Sequence, residues 1–432
     1  MNLERWNKWW IEKAVEPKLL GKRRGFFQDL LPYFEKRQIV VIKGIRRVGK
    51  TTLMYQFIDY LIREKHIDPY QILYFSFDEE VQEIDEIIEQ YEIKVLKKRM
   101  ADFDRIYIFL DEVQKLKNWS DKIKILYDLN PNLKVFITGS SSLDIEKGSK
   151  ESLAGRSFEF LLSPLSFKEY LEFKNFSFDA DRIDIFRREL ELKLSHYMLT
   201  SGFIELVNEE DERFLSSYCL NSIIDRITFI DIPQIFRIEE PELLSKILKI
   251  ISSRPGMILD YRTLSSDLMR DHRTIENYIT FLKSSMLINI LYNYSGNFMS
   301  SDRKLKKFYP SITSIPLLLF PEKRNDEAFY SYVVENLLVS SLKANFFYRS
   351  PDKKEVDIIL QDKNPIPLEI KYRDKINEKD LTGLLSFLDR FKIRSGFVIT
   401  KNINEERLIK KKEVKFIPLI DFLLSEKFAK KM

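Results

Sequence analysis

The segment from Gln38 to Thr52 constrains the fold of this chain more than any other. Gln38-Ile39-Val40-Val41-Ile42 is a β-type run without polar alternation, as a strand buried on both faces of a parallel sheet requires. Gly44-Ile45-Arg46-Arg47-Val48-Gly49-Lys50-Thr51-Thr52 follows at once, and then a helical spacing of Leu53, Met54, Phe57, Ile58 and Leu61. Strand, GxxxxGKT, helix is a phosphate-binding loop in the context its chemistry needs. Glycines let the backbone wrap closely, so that successive N–H groups and the helix N-terminus meet phosphate oxygens. The predicted contacts to ATP are therefore Gly44, Arg47, Gly49, Lys50, Thr51 and Thr52. Lys50 is placed to reach the β- and γ-phosphates, and the Thr51 hydroxyl to enter the Mg²⁺ shell.

Such a loop needs an acidic strand end beside it. Ile106-Tyr107-Ile108-Phe109-Leu110-Asp111-Glu112 supplies one, with Asp111 expected on the Mg²⁺ side and Glu112 expected to orient and activate water. A further apolar strand, Val135-Phe136-Ile137-Thr138, runs into Gly139-Ser140-Ser141-Ser142. Ser140 reads either as a sensor of the γ-phosphate or as part of a serine-rich turn.

Five blocks in one order over 39–170 resemble the AAA+ ATPase domain of a family found in archaea and bacteria, in which it is fused to a C-terminal domain. The blocks are Gly44 to Leu53, Leu110 to Leu116 with Trp119, Thr138 to Ser141, Leu153-Ala154-Gly155-Arg156, and Pro164 to Tyr170. The resemblance implies a parallel α/β sheet with a helical lid. It also puts Arg156 near where such ATPases carry an arginine finger, which usually acts on a neighbouring subunit, so Arg156 reads either as a finger, implying a homo-oligomer, or as an ordinary salt bridge. One departure is visible. Relatives tend to have Gly-Gly-aromatic-Pro in the lid, where this chain has Ser201-Gly202-Phe203-Ile204.

At 432 residues the length suggests two or three domains. One cysteine and three histidines leave any metal site to carboxylates. No apolar run approaches a bilayer span, so a cytoplasmic protein without stable membrane association is expected. Residues 1–24 form a basic segment holding Trp6, Trp9 and Trp10, expected to pack onto the ATPase domain at 25–172. Residues 173–240 read as a helical lid.

In 241–312, three helical patterns and a two-stranded ribbon read as a winged helix. Between 241 and 310 there are eleven Lys/Arg and six acids. As a DNA-binding element it would present His272, Arg273 and Asn277 to the major groove and Lys304, Lys306 and Lys307 of the wing to phosphates. Winged helices also serve as dimerisation and packing modules.

The last part, 313–432, carries a second candidate active site. Glu355-Val356-Asp357-Ile358-Ile359-Leu360 and Pro367-Leu368-Glu369-Ile370-Lys371 read as a hairpin that brings Asp357 beside Glu369 and Lys371. Asp, a spacer, then Glu-x-Lys resembles the PD-(D/E)XK core of restriction-endonuclease-like nucleases. The resemblance implies Mg²⁺ on Asp357 and Glu369, with Glu335 from an upstream helix completing the set. Lys371 would then position the attacking water.

The whole reads as an α/β protein: a P-loop AAA+ sheet with helical lid, a winged helix and a restriction-endonuclease-like domain. The expected function is Mg²⁺-dependent ATP hydrolysis coupled to the binding or processing of duplex or branched DNA, with strand cleavage at the C-terminal site as a further expectation. The alternative is a nucleotide-operated regulatory switch whose nuclease-like domain only binds a partner.

Overall fold

A computed structural model describes residues 2–78, 82–140, 152–236, 238–295, 305–362 and 364–425. The chain divides into two compact units, Met1–Pro164 and Leu165–Met432.

The first unit is built on a five-stranded sheet in the order β2-β3-β4-β1-β5. Its strands are β1 (Ile39–Lys43), β2 (Ile72–Ser76), β3 (Ile106–Asp111), β4 (Leu133–Gly139) and β5 (Ser157–Leu161). Every neighbouring pair is parallel. Strands β1 to β4 are buried at every residue, which explains why they read as unbroken apolar runs.

The edge strand β2 is covered by the N-terminal segment. The Asn7 amide donates to Tyr74 O at 2.9 Å and accepts from Tyr74 N at 2.7 Å, imitating a neighbouring strand. Trp9 and Trp10 both donate their indole N–H to Ile72 O, at 3.2 and 2.9 Å. Trp6 meets Phe75 edge-on with ring centroids 4.8 Å apart. The three tryptophans are thus structural, and they close an edge that would otherwise offer unpaired backbone groups.

The second unit holds a nine-stranded mixed sheet in the order β13-β14-β12-β11-β10-β9-β7-β8-β6. The strands are β6 (Met257–Ile258), β7 (Ile288–Asn293), β8 (Lys306–Pro310), β9 (Phe346–Arg349), β10 (Glu355–Leu360), β11 (Ile366–Lys371), β12 (Ser395–Thr400), β13 (Glu405–Ile409) and β14 (Lys412–Pro418). Helices Pro241–Ser253, Tyr261–Leu268 and His272–Ser284 precede β7, and β7, β8 and β6 pair antiparallel. The ribbon does not stand alone: β7 pairs in parallel with β9 through Tyr292 and Asn293, so residues read as a wing share one sheet with the nuclease-like hairpin. Helix Glu327–Ser341 contributes Val333, Val334, Leu337 and Leu338 to one core cluster. Helix Thr382–Arg390 contributes Leu384, Leu385, Phe387 and Leu388 to another. Gly383 is required there, because a Cβ would lie 1.9 Å from Glu355 O.

The Ser201-Gly202-Phe203 stretch lies in this second unit. Gly202 has φ +72°, and a Cβ on it would sit 2.3 Å from Leu165 O. Among the described residues no helix is long and apolar enough to cross a membrane.

Candidate nucleotide site and a buried charge cluster

The loop after β1 leads through Arg47 (φ 67°) and Gly49 (φ 94°) into helix Lys50–Arg63. Gly44 is needed because its backbone passes Leu162 so closely that a Cβ would lie 2.4 Å from Leu162 O. The Lys50 side chain is buried. Its ammonium donates to Gly44 O at 3.1 Å and Ile45 O at 3.4 Å and lies 3.3 Å from Glu112 Oε1. Lysine, loop carbonyls and the acid at the end of β3 therefore meet at one point. Arg47 is exposed, and Thr52 is half-buried on the first helical turn.

Asp111 is held from three sides. Thr51 Oγ1 donates to its Oδ2 at 2.6 Å, Tyr74 OH donates to the same oxygen at 2.9 Å, and Thr138 Oγ1 donates to Oδ1. Glu112 follows in a left-handed conformation, φ 55°. Its N–H donates to Thr138 Oγ1 at 3.2 Å, and its carboxylate accepts from Gln114. Burial, then the neighbouring Glu112 charge, raise the pKa of Asp111. Burial also opposes ionisation of Glu112, but the Lys50 charge and the bonds from Gln114 and Lys50 outweigh it and hold that carboxyl below its ordinary value. Thr51 Oγ and Asp111 Oδ2 face one another as hard oxygens. This donor set fits a Mg²⁺ that takes one or two protein ligands and the rest from phosphates and water.

Two contributors escaped the sequence reading. Thr138, the one threonine of β4, bonds both acids, whereas Ser140 lies half-buried just beyond the strand. Tyr74 supplies the third bond to Asp111 from the edge strand. An apolar strand pattern gives no signal for either.

Arg156 lies apart from this loop. Its carbonyl accepts from Ile39 N, at the start of β1, roughly 15 Å along the strand from the phosphate loop at about 3.3 Å per residue. Its guanidinium makes a bidentate pair with Asp128, at 2.8 and 3.1 Å.

In the second unit, β10 and β11 pair only over Ile358–Leu360 and Ile366–Leu368, and a bulge lies between Val356 and Ile359 where β10 meets β9. The strands part beyond this point. Asp357 Oδ2 fills the gap by accepting from Ile370 N at 2.8 Å. Lys371 Nζ donates to Glu369 Oε1 at 2.5 Å. Asp357, Glu369, Lys371 and Glu335 therefore lie in one cluster.

What sits among them corrects the expectation for Lys307. Instead of an exposed phosphate contact on a wing, Lys307 is buried, with 4% exposure. Its ammonium lies 2.9 Å from Glu335, 2.6 Å from Glu355 and 3.6 Å from Asp357. Tyr309 OH donates to Glu335 Oε1 at 2.5 Å. β8 alternates, so Lys306 faces outward while Lys307 and Tyr309 point in. In this arrangement the expected metal set of Asp357, Glu369 and Glu335 is instead paired with ammonium groups, Lys307 beside Glu335 and Asp357 and Lys371 beside Glu369. Among the described residues no group of three or more His, Cys, Asp or Glu side chains could hold a metal. The cluster borders a cavity of about 500 Å³ whose lining includes Arg254, Tyr332, Lys371 and Arg373.

Glu369 is buried and its Oε2 has no hydrogen-bond partner. Burial, then the Asp357 charge, push its carboxyl up to about 8, and burial pushes Glu335 up to about 7. The folded state thus holds a proton on Glu369 that the unfolded chain releases near pH 4.5. The stabilisation is complete below the unfolded value and is lost as pH rises through about 8. Glu369→Gln is expected to flatten that fall, so the variant gains on the wild type between about pH 5 and pH 8. Urea midpoints across this range check it; parallel curves would refute the protonated state.

Of the residues read as nucleic-acid contacts, His272, Arg273 and Asn277 are exposed on the first turns of helix His272–Ser284, and Lys306 is half-buried on β8. Lys304 lies outside the described residues.

Fold and loop together define the class: the first unit has the form of a P-loop nucleotide-binding domain and is similar to AAA domains. A family model described as an AAA domain matches residues 36–171. Two further models, each described as a domain of unknown function, match 191–314 and 327–422. Curated relatives include an uncharacterized protein of Haemophilus influenzae, 24% identical, with 94% of this chain and 99% of the relative covered. Uncharacterized protein MJ1544 of Methanocaldococcus jannaschii is 28% identical, with 85% and 80% covered. Similar solved structures include the Walker-type ATPase PABY2304 of Pyrococcus abyssi, with TM-score 0.41, 16% identity and coverage of 71% and 96%. AMPPCP-bound DnaA from Aquifex aeolicus has TM-score 0.28, 18% identity and coverage of 62% and 92%.

Proposed function

We propose that the chain is a Mg²⁺-dependent ATPase whose cycle is coupled to DNA binding by its second unit. The convergence of Lys50, Thr51, Asp111 and Glu112 at one loop carries this reading. Mg²⁺ would neutralise phosphate charge beside Thr51 and Asp111. Lys50 would exchange its loop carbonyls for phosphate oxygens, which frees Glu112 to orient the attacking water. Thr138 and Tyr74 hold Asp111 in place for this task. Arg156, remote from its own loop, would act as a finger only in a neighbouring subunit, which supports a homo-oligomer.

The DNA half rests on a winged-helix reading of the second unit: two helices joined by the short Met269–Asp271 turn, an exposed helix start at His272, Arg273 and Asn277, and the β7–β8 ribbon. For the nuclease-like hairpin, the position of Lys307 favours the second reading, a partner-binding module without metal-dependent cleavage.

The test is to incubate the full chain with Mg²⁺ and duplex, single-stranded or branched DNA, with and without ATP. Phosphate release is expected to rise with DNA and to vanish in Lys50→Ala, with the DNA left intact. Release that survives Lys50→Ala would overturn the ATPase reading. Cleavage that disappears in Asp357→Asn would restore a catalytic hairpin.

A further inference from the structure

A second cavity, of about 650 Å³, lies on the second unit between the start of helix Tyr261–Leu268, the β7–β8 ribbon, β9 and the end of helix Thr382–Arg390. Its chemistry differs from that of the charge cluster. Tyr261, Tyr294 and Phe391 line it and are all half-exposed, so each turns part of a ring toward the space. Tyr294 and Phe391 lie 5.3 Å apart between centroids, inclined at 60°, so the two rings pack on one another and together form one wall of a slot that opens to the cavity. Arg262, Lys306 and Arg390 surround these rings. Lys306 Nζ stands 5.8 Å from the Tyr261 ring and the Arg390 guanidinium 5.9 Å from that of Phe391. Among the described residues Asp260 is the one acid in the lining, and its Oδ1 is engaged by the N–H groups of Arg262 and Thr263 at the helix start.

Aromatic faces interleaved with cations are what a single-stranded nucleic acid requires. Its bases stack on rings without regard to sequence, while its phosphates seek the cations. A paired base cannot use such a slot, because both of its faces are covered within the duplex. We propose that this cavity receives an unpaired nucleotide, with the base against Tyr294 and Phe391 and the flanking phosphates against Arg262, Lys306 and Arg390. The inference deepens the DNA reading above, on which it rests, by naming unpaired DNA as the form bound.

The test uses the full chain and fluorescence anisotropy with labelled oligothymidine, its abasic counterpart and a blunt duplex. Oligothymidine is expected to bind at least tenfold more tightly than the abasic strand. Arg390→Glu, on an exposed side chain, is expected to weaken oligothymidine binding roughly tenfold and to leave phosphate release without DNA unchanged. Tyr294→Leu, which keeps the apolar packing and removes the ring, should reduce the preference over the abasic strand. If duplex binds while oligothymidine and abasic strands bind alike, the slot is overturned and the DNA reading stands. If no DNA binds at all, both fall together. An unaltered oligothymidine affinity in Arg390→Glu also overturns the slot.

Discussion

Glu112→Gln is expected to slow ATP hydrolysis by roughly 10²- to 10⁴-fold while nucleotide affinity stays within a few-fold of wild type. The side chain keeps its size, and the backbone N–H still donates to Thr138, so the loop should retain its shape. What disappears is the one carboxylate that Lys50 and Gln114 keep ionised despite its burial. Lys50→Ala should behave differently and lose binding as well, because that ammonium is the group offered to the phosphates. Phosphate release measured beside binding of a fluorescent nucleotide separates the two effects. A Glu112→Gln protein that turns over at the wild-type rate would remove Glu112 from the chemistry.

The second large effect is on stability. Lys307→Met should destabilise the second unit by about 3–5 kcal/mol, the typical consequence of removing one partner from a buried ion pair. Here one ammonium serves Glu335, Glu355 and Asp357; Glu355 also pairs with Arg349, whereas Glu335 and Asp357 are largely buried. The loss should be smaller at low pH, because Glu335 already titrates at about 7 and protonation removes a charge that the missing lysine no longer balances. Lys306→Met, one residue earlier and on the outer face, is the control and should leave stability nearly unchanged. Urea unfolding at two pH values reads both variants. Equal midpoints for Lys307→Met and wild type would show that the ammonium is not what holds the carboxylates.

The nucleotide loop was legible in the sequence because its chemistry is local. Gly44 to Thr52 are contiguous, and Asp111 and Glu112 end an apolar run that has one reading beside such a loop. The hairpin partners Asp357, Glu369 and Lys371 were legible for the same reason: a short turn fixes their approach. Lys307 was not. Arg303-Lys304-Leu305-Lys306-Lys307 reads as one basic strand, and only the pairing of β8 turns Lys307 inward, toward acids contributed by a helix and a strand far downstream. Tyr74 and Thr138 lie in strands where every residue is buried, so an apolar pattern conceals which polar groups face the site. Lys134 shows the same blind spot. It is buried in β4, donates to Lys36 O and Gln38 O, and is lowered to about 7 by burial, yet its neighbours read simply as core. The parting of β10 from β11 has no signature in the residues at all.

The nine-stranded sheet runs through both halves of the second unit, joined where β7 pairs with β9. A fragment cut to begin after residue 310 would keep β10, β11 and helix Glu327–Ser341 but lose β7 and β8. That would strip β9 of one of its two neighbours and leave Glu335 and Asp357 without Lys307 between them. Gene segments that look like separable modules here share one sheet, and the lysine that balances one of them is encoded in the other.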